Sequence, residues 1–450
     1  MNLTAFKDIL FARGAQMGFT EMELYYQSDN KFRAGVFKGE VDSYTISVEG
    51  GVAFRGVIGG KMGNAYTEKI DESSVAFLLE GASASAGISD SDEVAPVCDG
   101  TGEYQVLDLY SQELADSTPE AKIALLKSLE AEAYRLDARV ATVTHCVLVA
   151  QEGERYIANT RGLSRSDKSN AVGTYVGVMV REGDDTKTAY RFKLTRGLSG
   201  LAPEAMAAEA VHEAVSYLGA EPVESRTYPV LFRGSAAADL LGTFAPMFSA
   251  LDVQKGRSLL KDKLGQQVAG ANITIVDDPF LPEGAASRSF DSEGVAARKI
   301  TMVEQGVLKS YLHNLKTAQK DGVPSTGHGY KPSYKGAVGI APSNMYIQPG
   351  LQSFAELVES LTEGIVITEV SGLHSGANVI SGDFSLASNG YYVNDGKVVR
   401  PVNQITVAGN FLQMLTQIEA VGSDLAFEYG AGGYIGSPTL KVAGLAVAGK

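Results

Sequence analysis

Residues 32–67 carry the pattern that most restricts the fold, because apolar and polar residues alternate there between regularly spaced glycines. Gly39 and the glycine pairs at 50–51 and 59–60 interrupt the alternation at intervals of about ten residues. Alternation with a period of two indicates strands, and glycine tolerates the positive φ angles of tight turns. The chain has 50 glycines but only 14 prolines, as expected of strands joined by tight turns. The segment therefore predicts an antiparallel meander.

Helical periodicity surrounds this meander. Apolar residues three and four positions apart predict helices at residues 3–17, 73–84, 118–136 and 203–218. Thr118 followed by Pro119 is a typical helix start, with a capping hydroxyl and proline at the first helical position.

The 450-residue length favours more than one domain, and the pattern changes near residues 220–226. A helix ends at Gly219, a polar connection follows, and a strand is predicted from Tyr228. The second half is richer in strand signals than the first. We expect an α+β protein with an N-terminal α/β domain, residues 1–222, built from the meander and helices. A strand-rich mixed β domain is expected at residues 223–450.

Charge and cysteine content exclude several classes of function. The net charge is −14, which disfavours direct binding to nucleic acid or to an anionic membrane surface. Cys98 and Cys146 are too few for a disulfide framework or a zinc site made only of cysteines. Neither a signal-peptide pattern nor an uninterrupted apolar stretch of membrane-spanning length occurs, so we expect a cytoplasmic protein.

Residues 290–318, FDSEGVAARKITMVEQGVLKSYLHNLKTA, form the most distinctive segment. The cluster DSEG predicts a turn, residues 300–304 a strand, and Gln305-Gly306 the tight turn of a hairpin that returns through residues 307–312. The order of the string resembles the signature region of the TldD/PmbA family, also called modulators of DNA gyrase. Residues 253–279 and 371–415 extend the resemblance in matching order. Members of that family are zinc peptidases or metal-free partners of zinc peptidases.

The resemblance also implies where zinc ligands would lie. TldD-type members carry the motif HEAxGH after the strand that begins here at Pro229, which sets Gly242 and Met247 opposite the histidines and Thr243 opposite the glutamate. A cysteine ligand is expected near residues 429–433, but no cysteine follows Cys146. The chain therefore resembles the PmbA/TldE branch. We predict no catalytic residue, metal site or cofactor in this chain, with zinc only in a partner subunit.

A second motif invites a zinc interpretation. His212 and Glu213 lie on a predicted helix, but Ser216 stands where HExxH requires its second histidine. We interpret the two residues as a surface His–Glu pair.

Several other residues could belong to a site. Asp277 and Asp278 follow a predicted strand, where carboxylates bind cations, act as acid and base, or more commonly form turns. The resemblance places Asp383 and Tyr429 beside the family's cleft. Three late histidines could form a zinc site if the fold brought them together: His313, His328 and His374. His313 lies in a YLHN element similar to one shared by metal-binding and metal-free members, so we expect it to be a possible cleft residue that serves architecture.

The resemblance implies a subunit of a metalloprotease that acts on extended, unfolded peptides. The expected partner is a TldD-type zinc subunit in a heterodimer, or a second copy in a homodimer. The peptide would add as a strand to an exposed sheet edge. Two alternatives remain open: an autonomous metallopeptidase that uses the late histidines with Asp383 or Asp277, and a homodimeric peptide-binding regulatory protein.

Overall fold

The computed structural model of the chain describes residues 1–88, 94–430 and 433–450. Helices and strands are both abundant, and most strand pairs are antiparallel, which confirms the α+β class. None of the helices in these ranges combines the length and hydropathy needed to cross a lipid bilayer.

The first half forms one six-stranded antiparallel sheet. Its strands are β1 (Glu21–Phe37), β2 (Glu40–Ile58), β3 (Lys61–Thr67), β4 (Val140–Asn159), β5 (Ser164–Glu182) and β6 (Asp185–Thr195). They lie in the order β3-β2-β1-β4-β5-β6, so the predicted meander forms one end of a larger sheet. The first sheet is long, since four of its strands have 17 to 20 residues.

Helices cover one face of the first sheet. They are α1 (Leu3–Gln16), α2 (Glu72–Gly87), α3 (Gln112–Asp116), α4 (Pro119–Leu136) and α5 (Pro203–Ser216). Phe6 and Leu78 pack on Phe54 beneath α1 and α2, while Leu126 of α4 packs in a second cluster with Val176. The side chain of Thr118 caps α4 as predicted, accepting a hydrogen bond from the backbone of Ala121. We call this side of the sheet its helix-covered face.

The second half contains shorter elements. Its helices are α6 (Gly234–Phe244), α7 (Ala250–Gln254), α8 (Leu315–Asp321), α9 (Phe354–Glu359), α10 (Leu373–Gly376) and α11 (Phe411–Thr416). Its strands are β7 (Arg226–Phe232), β8 (Ile275–Asp277), β9 (Ile300–Glu304), β10 (Val307–Leu308), β11 (Gly329–Tyr330), β12 (Gly339–Ile340), β13 (Asn344–Ile347), β14 (Glu363–Ser371), β15 (Asp383–Asn394), β16 (Lys397–Asn410), β17 (Ile418–Val421), β18 (Ala426–Gly430), β19 (Gly433–Ser437) and β20 (Leu440–Ala448).

Two mixed sheets share the core of the second half. One has the order β16-β15-β14-β7-β20-β17, and an extra pairing between β16 and β20 curls it into a barrel-like sheet. The other has the order β10-β9-β8-β13-β19-β18. Helix α6 lies between them, where its Phe244 stacks on Phe411 with ring centroids 4.6 Å apart.

The glycines and polar residues of the first sheet conceal its true strand lengths. Strand β4 continues without interruption through Gln151 and Gly153, because both residues pair with β1 and β5. The Gln305–Gly306 turn is confirmed, since these residues have φ angles of 47° and 80°.

The DSEG turn of the distinctive segment joins the two halves. The buried Asp291 carboxylate accepts hydrogen bonds from the backbone N–H groups of Glu293, Val295 and Gly329 at 2.7 to 3.0 Å. Glu293 accepts one from the backbone of Leu315 at 2.7 Å and lies 3.7 Å from Arg55 of β2. The segment is therefore an anchor between the first sheet and the second half.

Candidate functional site

A cavity of about 590 Å³ lies on the face of the first sheet opposite the helices. Side chains from β1, β4, β5 and β6 form its floor, and Ala285 and Tyr429 approach it from the second half. Alternation along the strands explains this arrangement. Phe32 points into the helix-covered core, whereas its neighbour Arg33 points into the cavity. We call this side the cavity face.

The two ends of the cavity differ in polarity. Apolar and aromatic side chains occupy one end: Val147, Val149, Tyr175, Phe192 and Leu194. At the other end, Asp29 accepts hydrogen bonds of 2.7 Å from Gln27 and Gln151. Arg155 pairs there with Asp167, its Nε lying 3.0 Å from a carboxylate oxygen. The cavity thus offers an apolar floor beside a hydrogen-bonded polar wall.

Arg196 fastens the polar end to the second half. Its guanidinium donates to the backbone carbonyls of Leu109, Asn170 and Gly284 at 3.4, 3.0 and 2.7 Å. Burial lowers the pKa of Arg196, with Glu283 acting in the opposite direction. The contact to Gly284 joins the segment just after β6 to the second half beside the cavity.

Three carboxylates of the second half interact electrostatically with one another or with the cavity floor: Asp239 of α6, Glu369 of β14 and Glu428 of β18. Burial, reinforced by Glu369, raises the pKa of Asp239 to about 6. Burial, reinforced by Asp239, raises the pKa of Glu428 to about 7. The acidic group reaches the cavity because Glu369 also contributes, after burial and Tyr190, to raising the pKa of Tyr175 on the floor.

The residues at the family's zinc-motif positions do not fit a metal ion. Gly242 and Thr243 lie on the partly exposed face of α6 that also carries Asp239, but Gly242 has no side chain. The Thr243 hydroxyl donates a hydrogen bond of 2.8 Å to the backbone carbonyl of Asp239. Met247 points into the apolar core and is only 1% exposed. No three metal-ligating side chains cluster elsewhere among the residues that the structure describes.

The three late histidines are not brought together. His328 is buried, with Nδ1 2.9 Å from the Thr326 hydroxyl and Nε2 2.8 Å from Asp277. His313 is buried nearby, and burial lowers its pKa. His374 lies exposed on α10, remote from both rings in the fold. These positions leave no shared ligand sphere.

Asp277 serves in a buried network. Burial would raise its pKa, but the charge and hydrogen bond of His328 hold the pKa of this carboxyl below its ordinary value. The backbone N–H of Ser343 donates to it at 2.7 Å. Asp278 accepts a hydrogen bond from the backbone of Phe280, as the turn interpretation predicted.

The predicted cleft residues have different surroundings. Tyr429 lines the cavity and is 61% exposed. Asp383 lies exposed at the start of β15, where a hydrogen bond from Asn410 holds its pKa below the ordinary value. Neither Asp383 nor His313 lines this cavity. Of the turn at 429–433, residues 431 and 432 lie outside the described residues.

The interpretation of Glu213 as a surface residue is wrong. Its carboxylate is buried between Arg191 and Arg233, and it accepts a hydrogen bond of 2.7 Å from Tyr217. Burial would raise the pKa of Glu213, but the two guanidinium groups hold it below its ordinary value. His212, the other member of the pair, is exposed as expected.

Sequence reasoning missed Asp239 and Glu428. One signal for Asp239 was present, because it is the only charged residue between positions 234 and 250. A lone acid on an otherwise apolar helix marks a position where the helix meets a polar surface. Glu428 gave no such signal, since the charged groups that act on it come from α6, the residue before α6, and β6.

Comparisons with known proteins agree across the whole chain. Three family models match: PmbA/TldA metallopeptidase domain 1 at residues 22–86, the central domain at 112–218 and the C-terminal domain at 225–449. The metalloprotease PmbA of Escherichia coli O157:H7 is 27% identical over 90% of this chain and 88% of its own length. A metalloprotease TldD homologue of Haemophilus influenzae is 25% identical over 95% and 92%.

Solved structures share the complete fold. The crystal structure of a proposed modulator of a DNA gyrase from Thermotoga maritima MSB8 is 33% identical, with a TM-score of 0.91 over 99% of this chain and 100% of that one. TldE from Thermococcus kodakarensis has the same fold at 23% identity, also with a TM-score of 0.91 and the same coverage of both chains.

Proposed function

The chain belongs to the PmbA/TldD metallopeptidase family, and we propose that within it the chain acts as a PmbA/TldE-type subunit of a metalloprotease for unfolded peptides. In this proposal a TldD-type partner supplies the zinc and the general base. This chain contributes the walls that hold an extended peptide. We place both subunits in the cytoplasm.

One observation carries the proposal: none of the three residues at the family's zinc-motif positions, two near the end of α6 and one in the turn that follows it, offers a metal ligand. Gly242 offers no donor atom, the Thr243 hydroxyl is bonded to the helix backbone, and Met247 is in the core. Zinc binding needs three or four nitrogen, sulfur or oxygen ligands at about 2.0 to 2.3 Å. That chemistry supports a metal-free role for this chain.

The cavity supports a role in holding peptide. Its volume is within the range of about 300 to 1,000 Å³ that is usual for binding sites. Strand β18 is the last strand of its sheet and carries Tyr429 on the cavity wall. Within the described chain, β18 pairs only with β19, so its other edge can accept a peptide strand. Main-chain hydrogen bonds to that edge would hold an extended chain without strict choice of sequence.

The proposal is tested by preparing the chain alone, a TldD-type protein alone, and the two together. We expect elemental analysis to find zinc in the TldD-type protein and in the mixed complex. Cleavage of an unfolded peptide such as reduced casein should require both subunits. Tight zinc in the isolated chain, at about one ion per chain, would contradict the metal-free role. It would favour the autonomous metallopeptidase.

One variant tests whether this chain takes part in the cleavage reaction while the complex with the partner stays intact. Thr243→Val removes the hydroxyl at the position equivalent to the general base while keeping the shape of the side chain. We expect the mixed complex to keep its cleavage rate with this variant, because the proposed chemistry belongs to the other subunit. A hundredfold loss of rate with an intact complex would show that this chain takes part in the reaction.

A further inference from the structure

The apolar end of the cavity is built from aromatic rings on two paired strands, β5 and β6. Tyr175 of β5 lies directly opposite Phe192 of β6. The ring of Tyr190, also on β6, stacks on Tyr175 with the ring centroids 5.6 Å apart and the planes inclined by 22°. Both β6 rings are partly exposed, Tyr190 by 37% and Phe192 by 38%. We call these three residues the aromatic platform.

Two glycines of β5 make room for the aromatic platform. A Cβ atom at Gly173 would lie 3.1 Å from Cε2 of Phe192. A Cβ atom at Gly177 would lie 3.0 Å from Cδ1 of Tyr190. Neither glycine has a positive φ, so the backbone conformation alone would allow a larger residue at both positions. Glycine weakens the interior of a strand, and here it lets the two rings lie against the sheet.

The floor of the cavity can contact a peptide only through side chains. The backbone of β4 pairs with β1 and β5, and the backbone of β5 pairs with β4 and β6, so these pairings use the main-chain donors and acceptors of both strands. Tyr429 lines the cavity from β18. Side chains on the same face of a peptide strand added to β18 would therefore point towards the floor.

The surroundings of the aromatic platform favour an apolar group over a charged one. Burial, followed by Tyr190 and Glu369, raises the pKa of Tyr175 to about 12, so the Glu369 carboxylate acts on the platform. An acidic peptide side chain would be repelled here and would also lose its hydration. Apolar side chains complete this end of the cavity: Val147, Val149 and Leu194. Their surface favours a ring over an ammonium group, because burial of a charge costs more.

We propose that the aromatic platform is a specificity site, which selects peptides with an aromatic side chain at the position that reaches it. The inference rests on the proposed function, since it concerns the peptide held in the same cavity. Aromatic rings favour offset-stacked or edge-to-face contacts with centroids about 4.5 to 7 Å apart. Phe192 presents a partly exposed ring for such a contact, and the stacked rings of Tyr175 and Tyr190 stand beside it. An aliphatic side chain makes the apolar contact without the ring geometry.

Peptide binding to the full chain tests the selection without any need for cleavage. The probes are short unstructured peptides of serine, threonine and glycine that differ in one central residue: phenylalanine, leucine, alanine, lysine or glutamate. Isothermal titration calorimetry should give a dissociation constant about tenfold lower for the phenylalanine peptide than for the alanine peptide. The leucine peptide should lie between them, and the glutamate peptide should bind most weakly. Phenylalanine binding no tighter than leucine or lysine binding, or no binding of any peptide, would overturn the proposal.

Phe192→Ala tests the residue with the exposed ring. The variant should bind the phenylalanine peptide about as weakly as the alanine peptide and keep the parent affinity for the alanine peptide. A structural defect would instead weaken the binding of both peptides. Phe37→Ala is the matched control, because Phe37 has a similar exposure of 41% and does not line the cavity. Selection retained in Phe192→Ala, or lost equally in Phe37→Ala, would overturn the proposal.

Gly173→Ala tests the position of the ring without removing it. The added methyl group would displace the Phe192 ring from the sheet, so we expect the preference for phenylalanine over alanine to fall several-fold. Gly153→Ala is the control, since Gly153 also lines the cavity but faces Asp29 at the polar end. This variant should keep the preference. Equal loss of preference in the two variants would contradict the assignment to the aromatic platform.

The inference and the proposed function fail in different experiments. Zinc in the isolated chain, or cleavage without a partner, would contradict the proposed function. Equal affinities for the phenylalanine and alanine peptides, with zinc confined to a TldD-type partner, would overturn the inference alone. If Phe192→Ala abolishes binding to the TldD-type protein and leaves both peptide affinities unchanged, the aromatic platform is a contact between subunits and the specificity proposal is wrong.

Discussion

Two groups of carboxylates lie in the interior of the molecule, and they differ in what surrounds them. Asp291 and Glu293, at the junction of the two halves, accept hydrogen bonds from four backbone N–H groups between them. Asp239 and Glu428, beside the cavity, accept none from the described residues. Burial raises the pKa of the carboxyl group in all four residues. The direction of the pKa shift alone therefore does not distinguish carboxylates that hold the fold together from carboxylates that could bind a ligand.

The hydrogen bonds make the distinction. A buried carboxylate that is saturated by backbone N–H groups holds a turn in place, and removing it leaves buried donors without partners. A carboxylate without such partners contributes no architecture and faces an electrostatic cost when it ionises. Asp239 and Glu428 can thus accept a hydrogen bond from a ligand or partner group, although the charges of Arg233 and Arg191 already act on Glu428, whereas Asp291 and Glu293 are bonded to backbone N–H groups.

Replacement of Asp291 should have the largest effect on stability. Asp291→Ala removes the acceptor of three buried N–H groups, so we expect a loss of about 3 to 5 kcal/mol in the free energy of unfolding. Urea denaturation followed by circular dichroism measures it. Asp383→Ala is the control, because replacement of this exposed aspartate should leave stability nearly unchanged. Similar losses in the two variants would remove the distinction between saturated and exposed carboxylates.

The second-largest expected loss of stability concerns the buried histidines. His328→Ala should destabilise the chain by about 2 to 4 kcal/mol, because it removes a buried ring and the hydrogen bond that this ring makes to the fully buried Asp277. His313→Ala removes a ring of the same size, but its Nδ1 makes no hydrogen bond to the described residues. We therefore expect a loss at least 1 kcal/mol smaller, since about that much is lost with a buried hydrogen bond. The same denaturation experiment compares the variants, and equal losses would contradict the assignment.

Glu428→Gln should stabilise the chain, but only at higher pH. The pKa of Glu428 is raised from 4.5 to about 7, so its stabilising contribution is present below pH 4.5 and is lost as the pH rises through about 7. Glutamine removes this dependence. We expect the variant to be more stable than the parent by about 1 to 2 kcal/mol at pH 8 and equal to it at pH 4.

Thermal unfolding at the two pH values measures the difference. Glu359→Gln, a change at an exposed glutamate of α9, should leave stability within about 0.5 kcal/mol at both. A destabilising Glu428→Gln at pH 8 would mean that the carboxylate is held by a partner group, and the comparison with Asp291 would fail.

The sequence predicted what depends on neighbours along the chain. The Gln305–Gly306 turn and the Thr118 cap were both recognisable, because each uses contacts within a few residues. The family resemblance also singled out Gly242 and Thr243 from their distance along the chain after Pro229.

What the sequence did not predict depends on residues far apart. Glu213 was taken for a surface residue because its partner Arg191 lies 22 positions away, on β6. The network of Asp277 joins residues 51 positions apart. The full length of β4 is not evident from the sequence, because Gln151, on the cavity face, interrupts the apolar alternation that marks a strand with one buried side. In the sequence, a strand whose polar side chains face a cavity shows the same local pattern of polar residues as a loop.

Tyr429→Ala should have the smallest effect on stability and the most specific effect on function. Its side chain is 61% exposed on the cavity wall beside Glu428, so we expect the free energy of unfolding to change by less than about 0.5 kcal/mol. If β18 receives the peptide as proposed, loss of the ring should raise the KM of the mixed complex several-fold with little change in kcat. Tyr66→Ala is the control, because Tyr66 is 50% exposed on β3 and does not line the cavity. An unchanged KM for Tyr429→Ala, or an equal increase for Tyr66→Ala, would show that the open carboxylates and the β18 edge do not meet the substrate. The carboxylates near the cavity would then differ from Asp291 and Glu293 only in their electrostatic surroundings, and not in contact with substrate.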